Sequence, residues 1–223
     1  PGGDEEVAGI PFIGAAGYIL SDLLSSSGVI RNACFVGNVC QVRPPGNDIS
    51  KFLWDGPEIQ TGLEQLALDL ALYQPNICVL LGNTALRAAL GEVASVTSWR
   101  GSLFEGRAGP FLWRKCISTY HPAAILRQYD WSAVTRFDLR RAREEGESPA
   151  LVLPLRTLRT PDLSSPDEYL SYVFSRLEDI KLRKPLVALD IEGGIDSMSC
   201  ISFALSPTDA FIIPFSTGVG SYV

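Results

Sequence analysis

Two short apolar runs constrain this chain more than any other feature. Ala33 to Val39 and Ile77 to Leu81 are almost continuously apolar, and each is followed by a stretch of helical periodicity. Such runs read as strands covered on both faces, the pattern of a parallel sheet. Phe111 to Thr119 is a third candidate strand, less apolar because it carries Arg114 and Lys115, and Leu103 to Glu105 is a short extra one. Helical patterns fill the gaps. Ala15 to Leu24 places Ile19, Leu20, Leu23 and Leu24 on one side. Pro57 opens a helix through Tyr73, with Ile59, Leu63, Leu66 and Leu70 at helical spacing. Proline suits a first turn, where its missing N–H has no intrahelical partner to lose. Thr84 to Leu90 and Ser132 to Arg143 are further helices. Strands alternating with helices predict an α/β layer fold with a mostly parallel sheet.

The polar break Glu144-Glu145-Gly146-Glu147-Ser148-Pro149, with Thr160-Pro161 and Ser164-Ser165-Pro166 after it, marks 144–165 as a connection between two domains, 1–150 and 151–223. Pro166 to Lys181 follows as a helix, with Ser165 as N-cap and Asp167 and Glu168 in the first turn. Leu186 to Ile191, Ser199 to Leu205 and Ala210 to Phe215 read as strands of a second sheet, which the chain ends too soon to close. At 223 residues the chain fits one large domain, or one domain and part of another.

Charged residues make up 20% and hydrophobic residues 46%, the balance of a soluble globular protein. No apolar run approaches the ~20 residues that span a bilayer, so no membrane partner is expected and a cytoplasmic setting is. The five cysteines, Cys34, Cys40, Cys78, Cys116 and Cys200, form no C-x-x-C pair and read as buried free thiols in a reducing compartment. A net charge of −6 argues against nonspecific binding to nucleic acid. Yet Arg114 to Arg143 holds seven basic residues against two acids, around the sole histidine, His121. A local basic strip can serve phosphate contact despite an acidic total, and Arg127, Arg136 and Arg140 are candidate DNA contacts.

The residues that carry chemistry come in order. Pro1-Gly2-Gly3-Asp4-Glu5-Glu6 leads through Gly9-Ile10-Pro11-Phe12 to Gly14-Ala15-Ala16-Gly17. Gly37-Asn38-Val39 follows with Arg43-Pro44-Pro45-Gly46-Asn47, then Val79-Leu80-Leu81-Gly82, Arg100-Gly101 and Thr119-Tyr120-His121-Pro122. This series resembles the iron–sulfur-type (family four) uracil-DNA glycosylases, over residues 1 to about 143. The resemblance implies a three-layer α/β/α fold around a four-stranded parallel sheet, one central strand of which would lie upstream of Pro1. It also implies roles. Removing a base means extruding it from the stack and stabilising an oxocarbenium-like sugar and an anionic base. Glu5, seven residues before Phe12, would orient water and face the cationic sugar. Phe12 would stack on the base, Asn38 would bond its pyrimidine edge, and His121 would donate to its O2. The family's cluster needs four cysteines. Val42 and Gly62 stand where two of them belong and Cys40 is out of register, so no iron–sulfur cluster is expected. The alternatives are a module that reads uracil or a modified base without cutting, and a purely structural domain.

Leu186-Val187-Ala188-Leu189-Asp190-Ile191-Glu192 resembles the first motif of the proofreading-type 3′–5′ exonucleases. Asp190 and Glu192 alternate on a strand and so share a face. Such a pair could bind the Mg2+ or Mn2+ of a two-metal hydrolysis in a complete domain, built on a ribonuclease H-like sheet that is only partial here. A glycosylase-like domain followed by an exonuclease start resembles the amino-terminal region of certain bacteriophage family A DNA polymerases. That order implies single-stranded or template DNA as the partner and a covalently linked polymerase downstream.

Overall fold

The structure is a computed structural model that describes residues 1–153, 157–160, 165–194 and 197–215. It divides into two compact units, Pro1–Leu151 and Val152–Val223.

The first unit opens on α1 (Gly3–Ala8) and α2 (Ala15–Ser26) and continues through α3 (Pro57–Tyr73) into β1 (Cys78–Leu81). Then come α4 (Asn83–Leu90), α5 (Val96–Trp99), β2 (Leu103–Glu105), β3 (Lys115–Thr119), α6 (Pro122–Ile125) and α7 (Trp131–Glu145). Among the described residues the sheet has three strands in the order β1-β3-β2, with β1 parallel and β2 antiparallel to β3. The central strand β3 is buried at every residue. Leu80 of β1 joins Leu20, Leu23, Ile59, Leu66, Leu86, Ile125 and Leu139 of the helices in one core, and Ile117 of β3 is buried as well.

The expected four-stranded parallel sheet is therefore corrected. Ala33 to Val39 forms no strand: Arg31–Ala33 is a 3-10 turn and the residues after it are irregular. An apolar run supplies side chains, but a strand also needs a neighbour to complete its ladder. This segment is instead held by packing. The Phe35 ring stacks on Tyr73 of α3 at 4.7 Å, and a Cβ on Gly62 of α3 would come within 2.0 Å of the Val39 carbonyl oxygen. Position 62 thus belongs to a close helix-to-backbone approach. Phe111 to Thr119 is likewise shorter than expected. Gly109–Phe111 is a 3-10 turn, and Trp113 takes φ 61, a left-handed conformation that ends an extended run before Lys115.

The second unit contains β4 (Thr157–Arg159), α8 (Pro166–Arg183), β5 (Ala188–Gly194), β6 (Ser197–Ser206) and β7 (Asp209–Pro214), in the sheet order β4-β7-β6-β5. The last three strands form an antiparallel meander, and β4 joins β7 in parallel. β4 falls inside the stretch expected to be a connection; Pro161 and Ser164 of that stretch lie outside the described residues. Ser165 makes no side-chain cap bond to α8. Phe211 and Val173 are buried, with the Phe203 ring stacked on Phe211 at 5.1 Å. Among the described residues no helix is long and apolar enough to cross a membrane.

Candidate functional site

Glu5 sits in α1, a single turn and a half whose Gly9 ends it in the left-handed region. Its carboxylate reaches both ways along the chain: one oxygen accepts from the Gly2 amide and the other from the Gly14 amide, each at 3.1 Å. Burial works against the charge, but the amides of Gly14 and Gly2 outweigh it and hold the pKa below the usual carboxylate value. Glu5 is therefore ionised at neutral pH.

Phe12 follows Pro11 in a turn and adopts φ 57. Proline suits the first central position of such a turn, and the second ordinarily falls to glycine. A phenylalanine there is strained by roughly 1–3 kcal/mol. The turn presses against α2, where a Cβ on Gly17 would lie 1.8 Å from the Phe12 carbonyl oxygen. Only glycine allows that approach.

His121 leaves the end of β3 and caps α6. Its Nδ1 accepts the Ala123 amide at 3.1 Å, and Pro122 occupies the first helical position. The acceptor role at Nδ1 assigns the proton of the neutral ring to Nε2. Burial lowers the pKa below 6.5, and the nearby Arg127 lowers it further. The ring is set against Gly82 at the end of β1, where φ is 84 and an added Cβ would meet the His121 Cβ at 2.9 Å. Two residues before it, Thr119 Oγ1 donates to buried Asp138 of α7 at 2.7 Å, and Asp138 also accepts from Arg100 at 2.5 and 3.1 Å. Asp138 and its tie to Thr119 were missed in the sequence, where Asp138 reads as one acid among helix arginines; the only signal was a carboxylate on the apolar side of that helix.

The four expected site residues come together as two pairs. Glu5 and Asn38 line one open cleft of about 340 Å³, together with Pro11, Gly37 and Arg43. The rings of Phe12 and His121 pack at 5.5 Å between centroids, tilted by 35°. The Glu5–Gly14 bond and the Pro11–Phe12 turn join the pairs along the chain.

The basic strip is less uniform than its sequence suggests. Arg127 and Arg140 are exposed. Arg136 is tied to Asp22 at 2.9 Å and to Ser26 Oγ at 2.9 Å, and Arg141 donates to the Gly101 carbonyl. Lys115 is buried, at the end of β3 away from His121. A run of arginines in a helix winds around it, so part of the run turns inward to partners. The cysteines also divide: Cys40, Cys78 and Cys116 are buried, but Cys34 is exposed, because the strand expected to bury it does not form. In the second unit Asp190 and Glu192 lie two apart on β5, opposite Ser202 and Cys200 of β6. Both are exposed. Among the described residues no group of three or more His, Cys, Asp or Glu side chains is placed to hold a metal ion.

Residues 1–143 match the uracil DNA glycosylase superfamily. The chain is similar to the type-4 uracil-DNA glycosylase of Pyrobaculum aerophilum, 36% identical over 132 residues that cover 57% of this chain and 65% of that protein. It is similar to the one of Thermotoga maritima, 35% identical over 57% of this chain and 62% of that protein, and to that of Archaeoglobus fulgidus at 34% identity. The chain thus spans less than two thirds of the length of these relatives. They correct one expectation. Type-4 glycosylases are the iron–sulfur kind, so the absence of a cluster does not follow from Val42 and Gly62. The order of motifs, the family match and the relatives agree on one conclusion: through residues 1–143 this chain belongs to the uracil DNA glycosylase superfamily.

Proposed function

We propose that the first unit removes uracil, or a closely related base, from DNA. The observation that carries this reading is the packing of Phe12 against His121, two side chains remote in sequence whose rings meet at 5.5 Å. A base extruded from the stack would lie on the Phe12 ring, with its pyrimidine edge bonded by the Asn38 amide. As the C1′–N bond breaks, its electron pair passes to the base and negative charge collects on O2. The Nε2–H of neutral His121 would donate there. Such a donor is typically worth about 2.7–4 kcal/mol in the transition state. The ionised Glu5 carboxylate, still able to accept at its remaining lone pairs, would hold a water toward C1′ and offset the positive charge of the sugar. Water adds its oxygen to C1′ and its released proton neutralises the departing base anion, leaving an abasic sugar and free base.

Exposed Arg127 and Arg140 are the proposed phosphate contacts, and Arg136 is a weaker candidate because Asp22 already holds it. The test is incubation with single-stranded DNA carrying one uracil, followed by alkali cleavage at abasic sites. The reading expects product from the wild type and far less, by roughly 100-fold or more, from His121→Ala or Glu5→Gln. Tight uracil-dependent binding without product would make the pocket a reader of bases. Neither binding nor product would leave a structural domain.

A second reading concerns the other unit and rests on its strand order. Asp190 and Glu192 stand on the first strand of an antiparallel meander. This supports a nuclease-type carboxylate pair that takes a divalent cation once further acidic ligands join it. The order of a glycosylase-type unit followed by such a strand is the sole support for a polymerase-linked setting. Titration with Mn2+ tests the pair: weak binding abolished by Asp190→Asn supports it, and binding that ignores both carboxylates removes it.

A further inference from the structure

Phe12 holds a backbone conformation that phenylalanine does not choose. Such conformations persist only where the surroundings over-determine them, so something must hold this one. Gly17 makes room for the Phe12 carbonyl but does not bind it. The binding comes from Arg31, in the 3-10 turn after α2. One guanidinium nitrogen donates to the Phe12 carbonyl oxygen at 2.8 Å. The other donates to the Gly17 carbonyl at 3.0 Å and to Ser21 Oγ at 2.6 Å. Ser21 Oγ in turn donates to the same Gly17 carbonyl at 2.9 Å. A planar guanidinium presents these donors in a fixed fork, so the turn bearing Phe12 is fastened to one turn of α2. No other side chain is recorded on the Phe12 carbonyl among the described residues.

We infer that Arg31 is a positioning residue: it clamps the left-handed Pro11–Phe12 turn to α2 and thereby sets the Phe12 ring against His121. The clamp touches neither base nor sugar. It acts by fixing where the aromatic face lies before any ligand arrives, so that stacking does not have to order the turn as well. The inference deepens the glycosylase reading and rests on it only for the identity of what Phe12 meets.

The sole histidine of the chain makes the test direct, because every imidazole C–H signal in a proton–carbon spectrum belongs to His121. The Phe12 ring at 5.5 Å shifts those signals by its ring current. In the full 223-residue chain, Arg31→Met is expected to move them toward their positions in Phe12→Ala while the protein stays folded. If Arg31→Met is folded and its His121 signals stand where the wild type has them, the clamp is refuted. If Arg31→Met does not fold, Phe12→Gly is added, because glycine accepts positive φ without help. Recovery of the fold supports the clamp, and failure to recover refutes it. Activity separates the two readings. Should uracil be released, Arg31→Met is expected to lose about 10–100-fold in kcat/KM, mostly in kcat, the scale of a misplaced reacting group. Adding it to Phe12→Ala should then cost nothing more, and additive losses would refute the clamp. Should no uracil be released but the His121 signals move as described, the clamp stands and the glycosylase reading falls.

Discussion

The two ends of β3 each bury a fully bonded charge, and they differ in what stands next to it. At one end the Lys115 ammonium donates to the carbonyls of Glu145, Ser148 and Ala150 at 2.5, 2.6 and 3.0 Å. A lysine has three donors, so every one is taken and none remains for a ligand. This end fastens the chain leaving α7. At the other end the Asp138 carboxylate is just as fully engaged, by Arg100 and Thr119. Two residues further on, however, the bonds made by His121 among the described residues engage only Nδ1. A closed inventory of donors marks a structural cluster, and an open donor beside a rigid one marks a place for chemistry.

The largest effect that could break this comparison is on stability. Asp138→Ala is expected to destabilise the first unit by about 3–5 kcal/mol, since it strands a charge and a hydroxyl. The loss should fall at the lower end, because the Arg100 side chain keeps 26% exposure and can rehydrate in part. Urea unfolding checks it, and an unchanged midpoint would show that the Asp138 cluster at the Thr119 end of β3 contributes little. His121→Ala should show the opposite signature. On the proposed glycosylase reading, activity on uracil DNA falls roughly 100–1000-fold, but stability falls by only about 1 kcal/mol, from the lost cap on α6. A large stability loss there would make His121 a structural residue like Lys115.

Lys115→Met should cost about 1–3 kcal/mol through buried carbonyls left unpaired, with kcat unchanged. Thermal unfolding and steady-state kinetics on one preparation decide it. The smallest effect is in pH. A folded pKa below 6.5 means that the unfolded chain takes up the His121 proton first. Stability from this group is complete above pH 6.5 and is lost as pH falls toward the folded value. A titration of the His121 signals should show a midpoint below 6.5, and a midpoint above it would remove the neutral Nε2–H donor from the mechanism.

Periodicity and punctuation carried most of the first unit. The helix from Pro57 to Tyr73 is legible because proline opens it and its leucines recur on one face. The run from Cys78 to Leu81 is legible because an apolar stretch there does find a ladder, on β3. Ala33 to Val39 is nearly as apolar and fails, since pairing is a property of two segments. The candidate site was legible as a set of residue types in order, but how they meet was not. Phe12 against His121 depends on a φ of 57 that no phenylalanine announces. The arginine strip misled because a linear count of charge cannot say which side chains turn inward.

The sequence by itself determined the longer helices and where proline and glycine interrupt them, because those follow from local spacing and residue chemistry, and its ordered motifs carried the resemblance to the family. Only the tertiary structure decided that Lys115 is spent on carbonyls, that Asp138 ties Thr119 to Arg100, and that Arg31 holds Phe12 in place. Each of these depends on atoms brought within about 3 Å from distant parts of the chain, where burial turns a hydrogen bond from optional into obligatory.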